Sequence, residues 1–180
     1  FANSCNSAYS SMGLDLDITQ FAKLCDSLLF NTSLPTKFES SKSSFVLQSS
    51  DGDASIMSTS IGQGKTLVTP FHMALIVSAI ANDGVLMQPY VIDHTETYEG
   101  TVHEQNEPET YKQLISSENA AVLQEYMSAV VQNGTGQKLK GQSYEAAGKT
   151  GSAEFSSGTN AAHSWFVGYA HQEGKEDIAV

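Results

Sequence analysis

Basic residues are scarce in this chain of 180 residues: nine Lys and Arg stand against twenty Asp and Glu, a formal net charge of -11. Nucleic-acid binding needs clustered cations to displace counterions from phosphates, so that partner class is set aside and the acidity is assigned to solubility. Cysteine is scarcer still, with only Cys5 and Cys25. Two thiols make no disulfide framework, and the usual burial of free cysteine makes both of them expected core residues. That count does not separate an exported protein from a cytoplasmic one. No apolar run approaches the roughly 20 residues that span a bilayer, and no leader pattern is present. His72 and His103 lie at no metal-ligand spacing from Cys or another His, so no zinc site is expected. The chain begins at Phe1 and ends on Ile178-Ala179-Val180. It is expected to be cut from a longer protein, so the missing anchor and leader do not describe the parent.

What is present is enough for one domain over 1–180, with 40% hydrophobic content. Phe21, Leu24, Cys25 and Leu28 recur at i, i+3, i+4 and i+7, which predicts an amphipathic helix with Asp17 as its cap. Residues 31–55 are rich in Ser and Thr and read mostly as loop. Thr69-Pro70 supplies a cap and a proline at the first helical position, and the apolar run after it predicts a buried helix stopped at Gly84. Val85 to Ile92 reads as a strand, and the polar stretch around Gly100 as an exposed hairpin or insertion. Ser116 caps a further helix carrying Leu123, Tyr126, Met127 and Val130, ended by Asn133-Gly134. AAGKTGSAEF, HSWFVGYA and DIAV then read as an antiparallel meander, which makes an α+β domain. His163, Trp165 and Phe166 are assigned to packing, and Met57, Met73, Met87 and Met127 to the core.

The tripeptide Gly-Lys-Thr occurs twice, at residues 64–66 and 148–150. A phosphate loop needs a glycine five residues before the one preceding the lysine, and those positions hold Thr59 and Ser143. Nucleotide binding is therefore set aside. Lys149 is expected near the start of a strand, where Gly148 and Gly151 remove side chains and let a ligand backbone approach. Thr150 and Ser152 fall on one face by strand alternation. Hydroxyls beside an ammonium suit a carboxylate, and a free strand N–H suits half of an oxyanion hole. Lys-Thr-Gly alone is also what an exposed turn supplies. Ser4-Cys5-Asn6, placed before a helix, adds a Ser-x-Asn, and Ser-x-x-Lys, Ser-Asp-Asn and Lys-Thr-Gly together make one known type of active site. Helix capping is the other use of Ser4 and Asn6.

The stretch IGQGKTLVTPFHMALIVSAIANDGVLMQPYVI resembles the Gly-Gln-Gly segment, helix and strand of penicillin-binding protein transpeptidase domains. GTGQKL, AAGKTGSAEF and HSWFVGYA resemble their continuation into the active-site strand and its neighbour. The likeness covers nearly the whole chain, thins at residues 31–55 and 93–115, and makes Gly64-Lys65-Thr66 structural. It implies a partial β-lactamase/transpeptidase-like fold, an antiparallel sheet packed with helices and incomplete at both ends. It also implies an extracytoplasmic, membrane-anchored parent that cross-links peptidoglycan stem peptides and is acylated by β-lactams, with no cofactor and no metal. By that resemblance Ser4, Asn6 and Lys149 are the catalytic residues. Ser4 relays a proton, Asn6 holds the peptide amide, and Lys149 supplies positive potential and assists the proton path. Thr150, Gly151 and Ser152 bind substrate, the two hydroxyls taking the terminal carboxylate and the Ser152 N–H the oxyanion.

One departure is plain: no lysine has a serine three residues before it, so the nucleophile motif of the family is absent from these 180 residues. The nucleophile is therefore expected upstream, on a helix ahead of Ser4, and the fragment alone is expected to be inactive. A pairing edge and apolar helix faces would then stand uncovered, so stability is expected to need the upstream segment or self-association. Two other readings stay open, a β-lactam sensor or class D β-lactamase relative, and a non-catalytic cell-wall assembly module.

Overall fold

The computed structural model describes residues 1–154 and 162–180. Phe155, which ends the AAGKTGSAEF segment, lies outside the described residues. The chain forms helices α1 (Asn6–Leu14), α2 (Ile18–Ser27), α3 (Asp53–Ser60), α4 (Pro70–Ala81) and α5 (Ser117–Asn133). Its strands are β1 (Val85–Met87), β2 (His94–Glu96), β3 (Val102–Gln105), β4 (Thr110–Gln113), β5 (Glu145–Glu154), β6 (Ala162–His171) and β7 (Ile178–Ala179). β5, β6 and β7 make one antiparallel sheet in that order. Two-stranded pairs β1–β4 and β2–β3 stand apart from it. Helices and antiparallel strands together give the α+β fold.

Helix boundaries follow the capping chemistry. The Asp17 carboxylate accepts from the backbone N–H groups of Thr19 and Gln20 at 2.9 and 3.1 Å. Thr69 Oγ1 accepts from His72 N at 3.1 Å with Pro70 at the first helical position, and Ser116 Oγ accepts from Asn119 N at 3.3 Å. Each of these satisfies amide groups that the first helical turn leaves without partners. Gly84, at φ +86°, ends the α4 segment by returning its N–H to the Ala79 carbonyl at 2.7 Å.

α4 is apolar on every side because it is buried on every side. Leu75 and Ala79 pack with Leu29, Leu34, Leu86 and Leu114. Ile76 meets the cluster of Ile18, Cys25, Phe30 and Phe45. Val77 and Ile80 meet Met127 of α5 and Ala147 of β5. This one helix therefore joins the loop-rich N-terminal part to the main sheet.

Several expectations are corrected. The 31–55 segment is mostly loop, but it is packed: Leu34, Phe45 and Leu47 are buried, and the Asn31 amide clamps Phe45, donating to its carbonyl at 3.0 Å and accepting from its N–H at 2.9 Å. Neither α1 nor α3 shows an apolar stripe, so the sequence sets no bounds for either, although Ser4-Cys5-Asn6 is read as lying before a helix. The strand expected over Val85 to Ile92 stops at Met87. Pro89 has no N–H to give a ladder, and Val91 and Ile92 lie beyond it, exposed. β4, Thr110–Gln113, lies in the region read as insertion and pairs with β1. Lys149 sits mid-strand in β5 rather than at its start. Cys25 is buried but Cys5 is exposed, and both are free. Met57 is 38% exposed, so it is not core, while Met127 is.

His72 is fully buried, its ring 4.9 Å from that of Phe30. Nε2 donates to the Leu28 carbonyl at 2.8 Å, whereas Nδ1 has no hydrogen-bond partner among the described residues. Burial holds its pKa below the ordinary value. The folded ring therefore stays neutral where the unfolded one takes a proton, so stability present above the ordinary pKa of about 6.5 is lost as pH falls below it. Urea unfolding should show the unfolding free energy dropping by up to about 1.4 kcal/mol per pH unit below that point. His72→Gln, which keeps the donor to Leu28 and removes the titration, should flatten this slope. An unchanged slope in that variant would show that His72 is not its source.

Candidate active site

β5 is the strand on which the site is built. It pairs with β6 along its whole length, Lys149 opposite Val167, Thr150 opposite Phe166, Gly151 opposite Trp165 and Ser152 opposite Ser164. Ala147, Val167 and Tyr169 face the α4–α5 layer in the core. Lys149, two residues from Ala147, is carried on that same face by strand alternation.

Lys149 meets Ser4 there. Its ammonium donates to Ser4 Oγ and, at 2.7 Å, to the carbonyl of Thr150. The Phe1 ring centroid lies 5.8 Å from Nζ, close enough for a cation–π contribution. Partial burial pushes the Lys149 pKa down, because removing water disfavours the charged form. An amine lowered in this way and hydrogen-bonded to a hydroxyl can exchange a proton with it more readily than a solvated lysine can.

The placement of Ser4 depends on the glycine that ends α5. The Ala2 carbonyl accepts from Thr135 N at 3.2 Å, and it passes so close to Gly134 that a Cβ there would sit 2.8 Å from the Ala2 carbonyl carbon and nearer still to its oxygen. The chain then turns tightly, with Ser4 N donating to the Phe1 carbonyl at 3.0 Å and Ser4 at φ +50°, a conformation rarely taken by a residue with a side chain. Ser4 is thus held in strained backbone facing Lys149.

Thr150 is half-buried and its hydroxyl is hydrogen-bonded to that of Thr135. Gly151 is exposed, and among the described residues a Cβ there would meet only Trp165, at ordinary contact distance. Ser152 is exposed, and its carbonyl accepts from Gln63 Nε2 at 3.1 Å. Asn6 begins α1 and is exposed. Among the described residues the hydrogen bonds that join Ser4 to Lys149 do not reach it. The helix cap at this point is Cys5, without a side-chain bond, so Ser4 and Asn6 do not cap it. Gly148 does not serve a ligand: a Cβ there would lie 2.8 Å from Phe166 Cε2, and the Phe166 ring fills the space over Gly148 and its partner Gly168.

Three site residues were not singled out from the sequence: Phe1, Gln63 and Thr135. Gln63 and Thr135 each lie between two glycines, Gly62 and Gly64 or Gly134 and Gly136. That flanking is a usable signal for a side chain presented on a sharp turn. Among the described residues no group of three or more His, Cys, Asp or Glu could hold a metal, and no helix is long and apolar enough to cross a membrane.

The contact of the Lys-Thr-Gly lysine with the Ser-x-Asn serine joins two of the three motifs of one known type of active site, and the third, Ser-x-x-Lys, is not among these 180 residues. The chain belongs to the family described as penicillin binding protein transpeptidase domain, whose model matches residues 1–180. It is 28% identical to Peptidoglycan D,D-transpeptidase PbpA of Mycolicibacterium smegmatis, over 100% of this chain and 37% of that protein. It is 26% identical to Penicillin-binding protein 3 of Bacillus subtilis, over 97% of this chain and 26% of that protein. Its structure is similar to the D,D-transpeptidase domain of peptidoglycan glycosyltransferase from Eggerthella lenta, with TM-score 0.82 and 28% identity, covering 94% of this chain and 43% of that one. It is also similar to the imipenem acyl-enzyme complex of penicillin-binding protein A from M. tuberculosis, with TM-score 0.80 and 26% identity over 93% and 38% of the two chains. The chain therefore spans less than half the length of these relatives.

Gly134→Ala should force the Ala2 carbonyl away and carry Ser4 off Lys149. The expected cost is about 1–3 kcal/mol of stability, read as a lower urea midpoint at unchanged slope. A midpoint equal to that of the unsubstituted chain would show that residues 1–4 are not pinned there.

Proposed function

We propose that this chain is the part of a peptidoglycan D,D-transpeptidase that supplies the Ser-x-Asn and Lys-Thr-Gly portions of a serine acyl-transfer site. It would act outside the cytoplasmic membrane in a protein anchored to it. The observation that carries the reading is the Lys149 ammonium on the Ser4 hydroxyl, which joins residues 145 positions apart in the sequence.

In this proposal a serine of Ser-x-x-Lys, ahead of Ser4 in the parent, attacks the carbonyl before the terminal D-alanine of a stem peptide. A C–O bond forms, the C–N bond breaks, and D-alanine leaves with a proton relayed through Ser4 and Lys149. A neighbouring stem-peptide amine then takes the acyl group and restores the serine. Thr150 and Ser152 hold the terminal carboxylate beside the lysine charge, Gly151 leaves room for the peptide, and the Ser152 N–H donates to the oxyanion. Asn6 would hold the peptide amide from the start of α1, where its exposure leaves it available. A β-lactam enters the same path and stays as the acyl group. The position of the nucleophile makes the 180-residue chain inactive by itself.

Gel labelling with a fluorescent penicillin tests this. The chain alone should not label, and the protein extended upstream through the next Ser-x-x-Lys should. Lys149→Ala in the extended form should lower the labelling rate by about 10²–10⁴-fold. If neither form labels, the domain is a non-catalytic assembly module. If the short chain labels, a nucleophile lies within it and the assignments are wrong.

We also propose that the chain needs its upstream segment or a second copy to cover apolar surface. Leu24, Val122 and Tyr126 are 47%, 44% and 47% exposed, and an apolar concavity of about 140 Å³ opens beside Leu24, Ile80 and Leu123. Sedimentation of the chain by itself should show association, and a stable monomer would contradict this.

A further inference from the structure

β5 is gripped at Lys149 and Thr150 by residues already assigned to the site, and a third grip lies beyond them. Gln63 Nε2 donates to the carbonyl of Ser152 at 3.1 Å, across 89 positions of sequence. Its reach is set by local backbone. Gly62 and Gly64, at φ +79° and +83°, place left-handed residues on both sides of Gln63, a conformation that glycine adopts at no steric cost and other residues rarely take. The Gln63 N–H is meanwhile tied to the Ser58 carbonyl at 3.0 Å, within α3. The side chain is therefore carried out from the end of α3 on a turn of fixed shape.

α3 is also the helix against which α1 lies, with Gly13 of α1 buried on Ser60. α1 begins at Asn6 of the Ser-x-Asn. The packed pair of α1 and α3 thus carries Asn6 at the start of one helix and, through Gln63 after the other, contacts the Lys-Thr-Gly-Ser strand. The contact is a neutral amide donating to the carbonyl of an exposed residue on β5, an outer strand of its sheet.

We infer that Gln63 is a positioning residue for acyl transfer, which fixes the Ser152 end of β5 relative to the Ser-x-Asn helix through its donor to the Ser152 carbonyl. The inference rests on the transpeptidase reading above. Gln63 acts on substrate only through Ser152, by keeping the strand edge and the Asn6 amide at the spacing that an extended acyl donor must bridge. The contribution belongs to the orientation of bound reactants, where small displacements cost large factors in rate.

The test uses the full-length protein that carries this chain and measures the second-order rate of labelling by fluorescent penicillin, with thermal unfolding alongside. Gln63→Met keeps the length and removes the donor, and should slow labelling about tenfold or more at an unchanged unfolding midpoint. Gln63→Glu should be equally slow at neutral pH, where a carboxylate cannot donate to a carbonyl. As pH is lowered toward the ordinary carboxyl pKa of about 4.3, the protonated acid regains a donor and its rate should rise relative to Gln63→Met. A role in stability alone would not produce that pH-dependent ratio. Labelling of Gln63→Met within twofold of the unsubstituted protein, or faster, overturns the assignment while leaving the transpeptidase reading intact. A constant Glu-to-Met ratio across pH overturns it as well. Failure of the unsubstituted protein to label overturns the transpeptidase reading, and this inference with it.

Discussion

A half-buried ammonium needs acceptors, and the site is organised around providing them for Lys149. Water is partly excluded by Phe1 and by the sheet, and the Ser4 hydroxyl and the Thr150 carbonyl take its place. Hydrogen bonds to a charged group contribute about 1.5–3 kcal/mol each, more than neutral ones, so this contact can hold Ser4 in a backbone conformation that serine rarely adopts. Tension at Ser4 and burial at Lys149 are two sides of one arrangement. The same exclusion of water lowers the lysine pKa by disfavouring its charged form.

The rest of the fold keeps β5 where that contact can form. Successive segments reach the strand from different parts of the chain: residues 1–4 at Lys149, the turn after α5 at Thr150, and the turn after α3 at Ser152. α4 lies behind them, packing on β5 and α5 on one side and on the α2 region on the other. Phe166 covers the glycines at 148 and 168, so that the strand pair is closed on its second face before the residues that a ligand would meet.

Much of this was legible in the sequence wherever the signal is local. Caps at Asp17, Thr69 and Ser116 announced three helices, because a short polar side chain before an apolar run has one efficient use. The meander of β5, β6 and β7 was visible in alternating, β-branched and glycine-punctuated segments. The bounds of α1 and α3 were not, since they pack through small and polar residues such as Gly13 and Ser60 rather than through an apolar stripe. β1 was read too long because an apolar composition continues past Pro89 although the hydrogen-bonding capacity does not. In the candidate site, Ser4, Lys149, Thr150 and Ser152 were picked out through the Ser-x-Asn and Lys-Thr-Gly motifs and the family resemblance, and the fold brings the first two into contact. Gln63, Thr135 and Phe1 were not, because their roles come from contacts across the fold, for which sequence shows only the flanking glycines.

The most direct measurement is the titration of the Lys149 ammonium in the folded protein. It can be followed by NMR with ¹³Cε-labelled lysine, the resonance being assigned by its loss in Lys149→Arg. A midpoint below that of an exposed lysine in the same spectrum is the result predicted by burial of Nζ against Ser4. A midpoint at the ordinary lysine value would mean that Nζ is solvated, and that the contact on which the site is built does not form.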